Sequence, residues 1–135
     1  MIKKARKRLF IMKHLSALRV SRPIRMRCYT TFIECLFIYH LCTVFGHLSK
    51  AQQEAINNVI SAAGFLAGCD FAPISEVYHR CFKKRCLSLY ATETQPVFKL
   101  ERMPSGRLRA LRFRVELRKN CFRALYIKFL NNKFF

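Results

Sequence analysis

At 135 residues, 52% of them hydrophobic, the chain has room for one small domain and a modest core. Its 26 Lys and Arg against 7 Asp and Glu leave a net charge of +19, which predicts attraction to something anionic, either nucleic acid or an anionic membrane surface. Asp70 is the only aspartate and no paired acidic motif exists, which excludes two-metal nucleotidyl transfer with its converging carboxylates.

Residues 2–19 read as a helix with Ala5, Leu9, Met12 and Leu15 or Leu18 on one face. Lys3, Lys4, Arg6, Lys7, Arg8 and Lys13 occupy the rest. Ser21-Arg22-Pro23 stops this helix and starts the next, Ser as cap and Pro in the first turn. No acidic residue occurs up to Ile33, against ten Lys and Arg. A mitochondrial transit peptide has the same bias, and that reading competes with a structural helix. The second helix is expected from about Pro23 to Phe45, with Gly46 as its stop. Phe32, Ile33, Leu36, Phe37, Ile38, Tyr39, Leu41, Val44 and Phe45 make its later half apolar on nearly every side. Such a helix is either central in a core or in a membrane. The uncharged stretch between Glu34 and Lys50 contains His40, Thr43 and His47 and falls short of the roughly 20 apolar residues of a span. A core helix is therefore preferred to a membrane segment over 35–48.

Ser49 with Gln52 forms a capping box for a third helix, closed by Gly68. Its packed face is Ala55, Ile56, Val59, Ile60, Ala63 and Leu66, and Gln53, Asn57 and Asn58 are expected to face out. Pro73 and Ser75 mark a fourth helix at about 74–91, with Val77, Tyr78, Phe82, Leu87 and Leu89 and a basic middle of Arg80, Lys83, Lys84 and Arg85. Gln95-Pro96-Val97-Phe98 reads as extended or turn-like. Pro104-Ser105-Gly106 reads as a turn. Arg107, Arg109, Arg112, Arg114 and Arg118 then alternate with Leu108, Leu111, Phe113, Val115 and Leu117. Over 112–118 that pattern fits a strand or an irregular basic arm. A short helix over about 119–131 ends the fold. The predicted architecture is mostly α, a small bundle of about four to five helices with an irregular basic C-terminal arm, divided into a helical region over 1–92 and a basic arm with a short terminal helix over 93–135.

The seven cysteines form no tight framework and no secretory leader is expected, so reduced thiols and an intracellular site, nuclear or cytoplasmic, are the reading. Cys28, Cys35 and Cys42 fall seven residues apart on one helical stripe, where packing is the expected role. His79, Cys81 and Cys86 lack the second ligand pair of a structural zinc site and would not share one helix face. His14, His40, His47 and His79 sit on different elements without an identifiable nucleophile or carboxylate partner. No catalytic residue, metal, cofactor or small-molecule substrate is implied.

Two basic segments are the candidate binding surfaces. One is the first helix, with Lys3, Lys4, Arg6, Lys7, Arg8 and Lys13. The other is the arm, with Arg107, Arg109, Arg112, Arg114, Arg118 and Lys119. Such residues contact phosphates, which gives affinity without sequence readout. Phe10, Phe113 and Phe122 are placed to stack on bases, although burial is the commoner fate of such rings.

These segments also carry a family likeness that runs nearly from end to end. Lys3-Lys4-Ala5 followed by Arg8-Leu9-Phe10 looks like the basic helix after the palm of non-LTR retrotransposon reverse transcriptases. Tyr29-Thr30-Thr31-Phe32-Ile33-Glu34 is similar to their F-Y-x-x-x-I-E-S element, which opens a thumb-like helix. Val44-Phe45-Gly46-His47-Leu48-Ser49 stands where they carry W-Y/F-G-N-L-S. Pro96-Val97-Phe98 matches H-P-L-F, and Leu100 to Gly106 resembles L-L-P-S-G-R-R. Arg118-Lys119-Asn120-Cys121-Phe122 and Ile127-Lys128-Phe129-Leu130-Asn131 follow their F-K-N-S-F-x-P-x-A-I-x-L-L-N ending. The chain thus resembles the C-terminal tail of those enzymes without fingers or palm. Val44 replaces Trp, Cys35 replaces Ser, Leu108 replaces the second Arg and Ala124 replaces Pro. The resemblance implies a non-catalytic remnant of an RNA-directed DNA polymerase whose role is to grip nucleic acid, RNA or DNA, non-specifically. Residues 3–44 also resemble a segment catalogued as the N-terminal domain of an AlkB-type alkylated-DNA-repair family. That likeness implies dioxygenase and methyltransferase terms, but the chain has neither an H-x-D…H iron triad nor a nucleotide-binding glycine pattern. The rival class is a basic membrane-associated or organelle-targeted protein.

Overall fold

The computed structural model describes residues 1–91 and 100–134. Its regular elements are helical: α1 (Ile2–Ala17), α2 (Arg22–Tyr29), a π-helical turn (Thr30–Glu34), α3 (Cys35–Val44), a 3-10 turn (Phe45–His47), α4 (Lys50–Ala67), α5 (Ile74–Ala91), α6 (Glu116–Lys119) and α7 (Phe122–Phe134). The fold is mostly α. Five principal helices form a small bundle, taking α2 to α3 as one, and an irregular basic segment runs over it before α6. No strand occurs among the described residues, and the alternation at 112–118 is resolved as irregular arm plus a helical turn. The terminal helix starts and ends three residues later than the sequence suggests. The boundary expected at 92/93 and the Pro96-Val97-Phe98 motif lie outside the described residues.

Helix α1 buries Ala5 and Met12 and half-buries Leu9 and Leu15, while Leu18 is exposed. Its main partner is α4. It ends one turn before Pro23: Arg19 adopts φ +52, Val20 N–H donates to Leu15 O and Arg19 N–H to Ser16 O. This is the double closure of a left-handed cap, made here by a non-glycine residue.

The second helix departs from a simple rod. Tyr29, Ile33, Phe37 and Leu41 recur every four residues and are all buried. An α-helix drifts off such a spacing, and the wider π turn at Thr30–Glu34 takes up the difference. Nor is Gly46 a left-handed stop, because it sits inside a 3-10 turn and only Gly68 and Gly106 have positive φ among the glycines. Gly46 is needed for closeness instead. A Cβ there would lie 2.5 Å from Asn120 O.

Helix α4 starts as its sequence predicts, Gln52 N–H donating to Ser49 Oγ at 3.2 Å and Ser49 N–H to Gln52 Oε1 at 2.9 Å. Gly68, at φ +72, closes it with Cys69 N–H donating to Gly64 O and Gly68 N–H to Phe65 O. Asn57 does not simply face out. Its Oδ1 accepts the Ile74 N–H at 2.9 Å and so caps α5 from a neighbouring helix. Gln53 is likewise half-buried and donates to Leu48 O at 3.3 Å.

Helix α5 joins the two halves of the core, packing on α3, α4 and α7. A run of rings connects them: Phe45 stacks on Tyr78 at 4.1 Å, and Phe82 meets Phe122 at 5.6 Å and Phe129 at 6.0 Å. Tyr126 is buried beside them and its hydroxyl has no hydrogen-bond partner among the described residues. Taking that hydroxyl out of water is an uncompensated cost. Tyr126→Phe should therefore raise stability by about 1 kcal/mol in a thermal melt. An unchanged or lowered midpoint would mean that the hydroxyl finds a partner in solution.

Candidate nucleic-acid interface

Seven acids can neutralise at most seven of the 26 basic side chains, so an excess of positive surface is unavoidable. The question is which cations the fold uses on itself. Arg8 and Arg25 are among those that join one helix to another. Arg8 Nη1 donates to Phe32 O at 2.6 Å, a carbonyl within the π turn. Arg25 Nη1 donates to Leu66 O at 2.7 Å, in the last turn of α4, where a cation also complements the helix dipole. Arg8, read as a phosphate ligand from sequence, is half-buried and anchors α1 instead. Arg25 is indistinguishable from its basic neighbours in sequence, since only the fold brings the end of α4 to it.

Lys3, Lys4, Arg6, Lys7 and Lys13 are exposed on the side of α1 away from Ala5 and Met12. Phe10 is also exposed there, edge-on to His14 at 4.1 Å. The helix is therefore a cationic face with one accessible ring.

The arm is better ordered than its sequence suggests. Gly106 N–H donates to Met103 O, Met103 N–H to Arg107 O and Arg109 N–H to Glu101 O, giving a tight hairpin-like loop around Pro104-Ser105-Gly106 with a single antiparallel bridge between Arg102 and Leu108. Gly106 takes φ +82, a conformation open to glycine at no steric cost. Leu108 is buried and held at both backbone groups by one side chain. Asn131 Nδ2 donates to Leu108 O at 3.0 Å, and Leu108 N–H donates to Asn131 Oδ1 at 2.9 Å. From there Leu111 and Phe113 turn partly inward while Arg107, Arg109, Arg112 and Arg114 are exposed. The alternation holds from Leu111 to Arg114 without a strand and breaks at Val115, which is exposed.

Arg109 is tied to Glu101 at 3.0 Å, but both side chains are well exposed, so this pair is a weak restraint. Between the arm and α7 lies a groove of about 660 Å³, with Leu100, Leu111 and Ile127 along it and Arg109, Arg112 and Arg123 beside them. Arg118 and Lys119 are exposed on α6. Phe122 is half-buried between Phe82 and Tyr126, with the Arg85 guanidinium 6.0 Å from its ring, so it is a packing residue. Phe113 is half-buried too.

The helices behind the two predicted surfaces have different principal neighbours. Helix α1 packs chiefly on α4, α2 and the π turn, whereas α7 packs on α5 and α6. The fold thus presents one cationic face on α1 and another on the arm.

Among the described residues, no group of three His, Cys, Asp or Glu side chains is placed to hold a metal ion. Burial and the nearby Cys42 push the Cys86 thiol up to about 12, and burial likewise raises Tyr78 and Tyr126. These groups are protonated core members. The cysteine stripe divides: Cys28 and Cys42 are half-buried, but Cys35 is exposed because no described helix covers the outer side of α3, and its thiol donates to Thr31 O at 2.7 Å.

No family model, curated protein or solved structure matches this chain.

Proposed function

We propose that this chain is a non-catalytic, thumb-like remnant of a non-LTR retrotransposon reverse transcriptase that grips nucleic acid through phosphate contacts. The order and spacing of its motifs support the origin. The ordered row of Arg107, Arg109, Arg112 and Arg114, facing outward from a backbone clamped by Asn131, carries the grip. Guanidinium groups two or three residues apart meet phosphates and read no base edges, so binding is tolerant of sequence. Each phosphate neutralised releases counterions, so affinity falls steeply as salt rises. RNA–DNA duplex is the probe of choice, with single strands as comparison.

Arg112→Glu/Arg114→Glu should lower duplex affinity at least about tenfold at low salt and flatten the salt dependence, as two phosphate contacts would. Both side chains are exposed, so the helical circular dichroism spectrum should be unchanged. Duplex should also raise the melting midpoint of the unaltered chain, since a ligand that binds only the folded state stabilises it. Affinity insensitive to both salt and this double variant would sink the proposal.

A further inference from the structure

The outer side of the second helix has properties that phosphate gripping does not use. From Arg22 to His47 the helix runs unbroken through the π and 3-10 turns for 26 residues, and by length and composition it could cross a bilayer. Only 22% of its most apolar window is buried. Tyr29, Ile33, Phe37 and Leu41 form the inward stripe. Thr31, Cys35, Tyr39 and Thr43, also four apart, point the other way, with Phe32, Ile38 and His40 exposed beside them. Tyr39 is 83% exposed.

This face carries no formal charge. Between Cys28 and Ser49 the one Asp, Glu, Lys or Arg is Glu34, whose side chain is 17% exposed and lies 3.8 Å from Arg80. The small polar groups are also closed off. Thr30 and Thr31 hydroxyls donate to Met26 O and Arg27 O at 3.2 and 2.9 Å, the Cys35 thiol donates to Thr31 O, and the Thr43 hydroxyl donates to His40 O at 2.9 Å. Protons returned to carbonyls of the same helix leave few donors that need water, which is the condition for contact with lipid. Charge resumes at both ends, with Arg19, Arg22 and Arg27 exposed at one and Lys50 at the other.

We propose that this helix lies along an anionic bilayer, its outer face of Phe32, Cys35, Ile38 and Tyr39 at the headgroup–acyl boundary and its flanking Arg and Lys on lipid phosphates. It lies in the plane and does not span, because its opposite stripe is the core of the bundle. Immersion of such a face reaches about 5–10 Å. A second copy of the chain is the poorer occupant, since two molecules of charge +19 would bring the same arginine clusters together. The inference stands apart from the nucleic-acid reading, which uses the arm.

The test is flotation of the full chain with phosphatidylcholine vesicles, with or without phosphatidylserine, at low and high salt. Tyr39→Trp supplies a fluorescent reporter in a chain that has no other tryptophan. Binding should require phosphatidylserine at low salt and leave a salt-resistant fraction. The emission of the reporter should shift to the blue and be quenched by brominated acyl chains. Ile38→Lys/Tyr39→Lys should reduce the salt-resistant partitioning at least about tenfold, because two apolar side chains no longer leave water. The inference is overturned if reporter emission stays at its free value on vesicles, which holds even if the lysine variant misfolds. Vesicle binding abolished by salt and indifferent to the lysines would reduce the effect to adsorption of a polycation, and duplex binding without flotation would leave nucleic acid as the partner.

Discussion

Asn131→Ala is expected to release the arginine arm and to lower stability by about 2–4 kcal/mol. One carboxamide satisfies both Leu108 backbone groups, and Leu108 is buried, so truncation strands a donor and an acceptor together. Each stranded group costs about 1–3 kcal/mol where water cannot reach it, and partial solvent entry as the loop lifts holds the total below the sum. Asn131→Asp should do no better, because a carboxylate accepts from Leu108 N–H but repels Leu108 O. The alanine change leaves every charge in place, which gives it value beyond stability. If the arm grips phosphates as an ordered row, duplex affinity must fall although net charge remains +19. Thermal melts and duplex titrations on the same preparation separate the two effects. A destabilised variant, still folded at the temperature of titration, that binds duplex as tightly as before would mean that unordered positive charge suffices.

Much of the helical framework is legible because it is encoded locally. The Ser49–Gln52 box, Gly68 and the span of α5 need only neighbours in sequence, and each lies where periodicity and capping chemistry put it. What escapes is what one element does for another. Asn57 looks like a solvent-facing polar residue until α5 starts beside it. Arg8 and Arg25 look like any other cations until a carbonyl of the π turn and the end of α4 come within reach. Asn131 stands only as the last letter of a motif, yet it fixes the arm 23 residues away. The π turn has a local signal in the strict four-residue recurrence of Tyr29, Ile33, Phe37 and Leu41, which a straight α-helix does not keep on one line.

The same distinction fits the candidate surfaces. Charge density locates both basic segments, because composition alone dictates that most cations are exposed. It does not tell a cation that anchors from one that is available, so Arg8 groups with Lys3, Lys4, Arg6, Lys7 and Lys13 until the fold separates it. The outer face of α3 is hidden for the opposite reason. A helix apolar on nearly every side reads as fully buried, yet in this small bundle the stripe of Tyr29, Ile33, Phe37 and Leu41 meets the core and Tyr39 does not.

Gly46→Ala carries the other large expected effect, and its sign is opposite to that from helix propensity. Gly46 lies in a 3-10 turn with ordinary negative φ, where alanine by itself would stabilise by up to about 1 kcal/mol. Against this, the new methyl would stand 2.5 Å from Asn120 O and 3.1 Å from Asn120 Cβ. The first contact is with backbone, so no rotamer change relieves it, and the end of α6 must move off the bundle. Overpacking of this kind costs about 1–3 kcal/mol and here outweighs the propensity gain. Asn120→Gly in the same chain removes the Cβ contact but leaves the carbonyl, so it should restore only part of the loss. Gly68→Ala is the control with a different cause: at φ +72 its nearest atom, Arg25 Nη2, is 3.9 Å away, so its cost is conformational and Asn120→Gly should not alter it. A double-mutant cycle on melting midpoints reads out both couplings. Gly46→Ala that is neutral or stabilising would mean that α6 does not rest on the 3-10 turn in solution. The arm would then keep its Asn131 clamp without that second support.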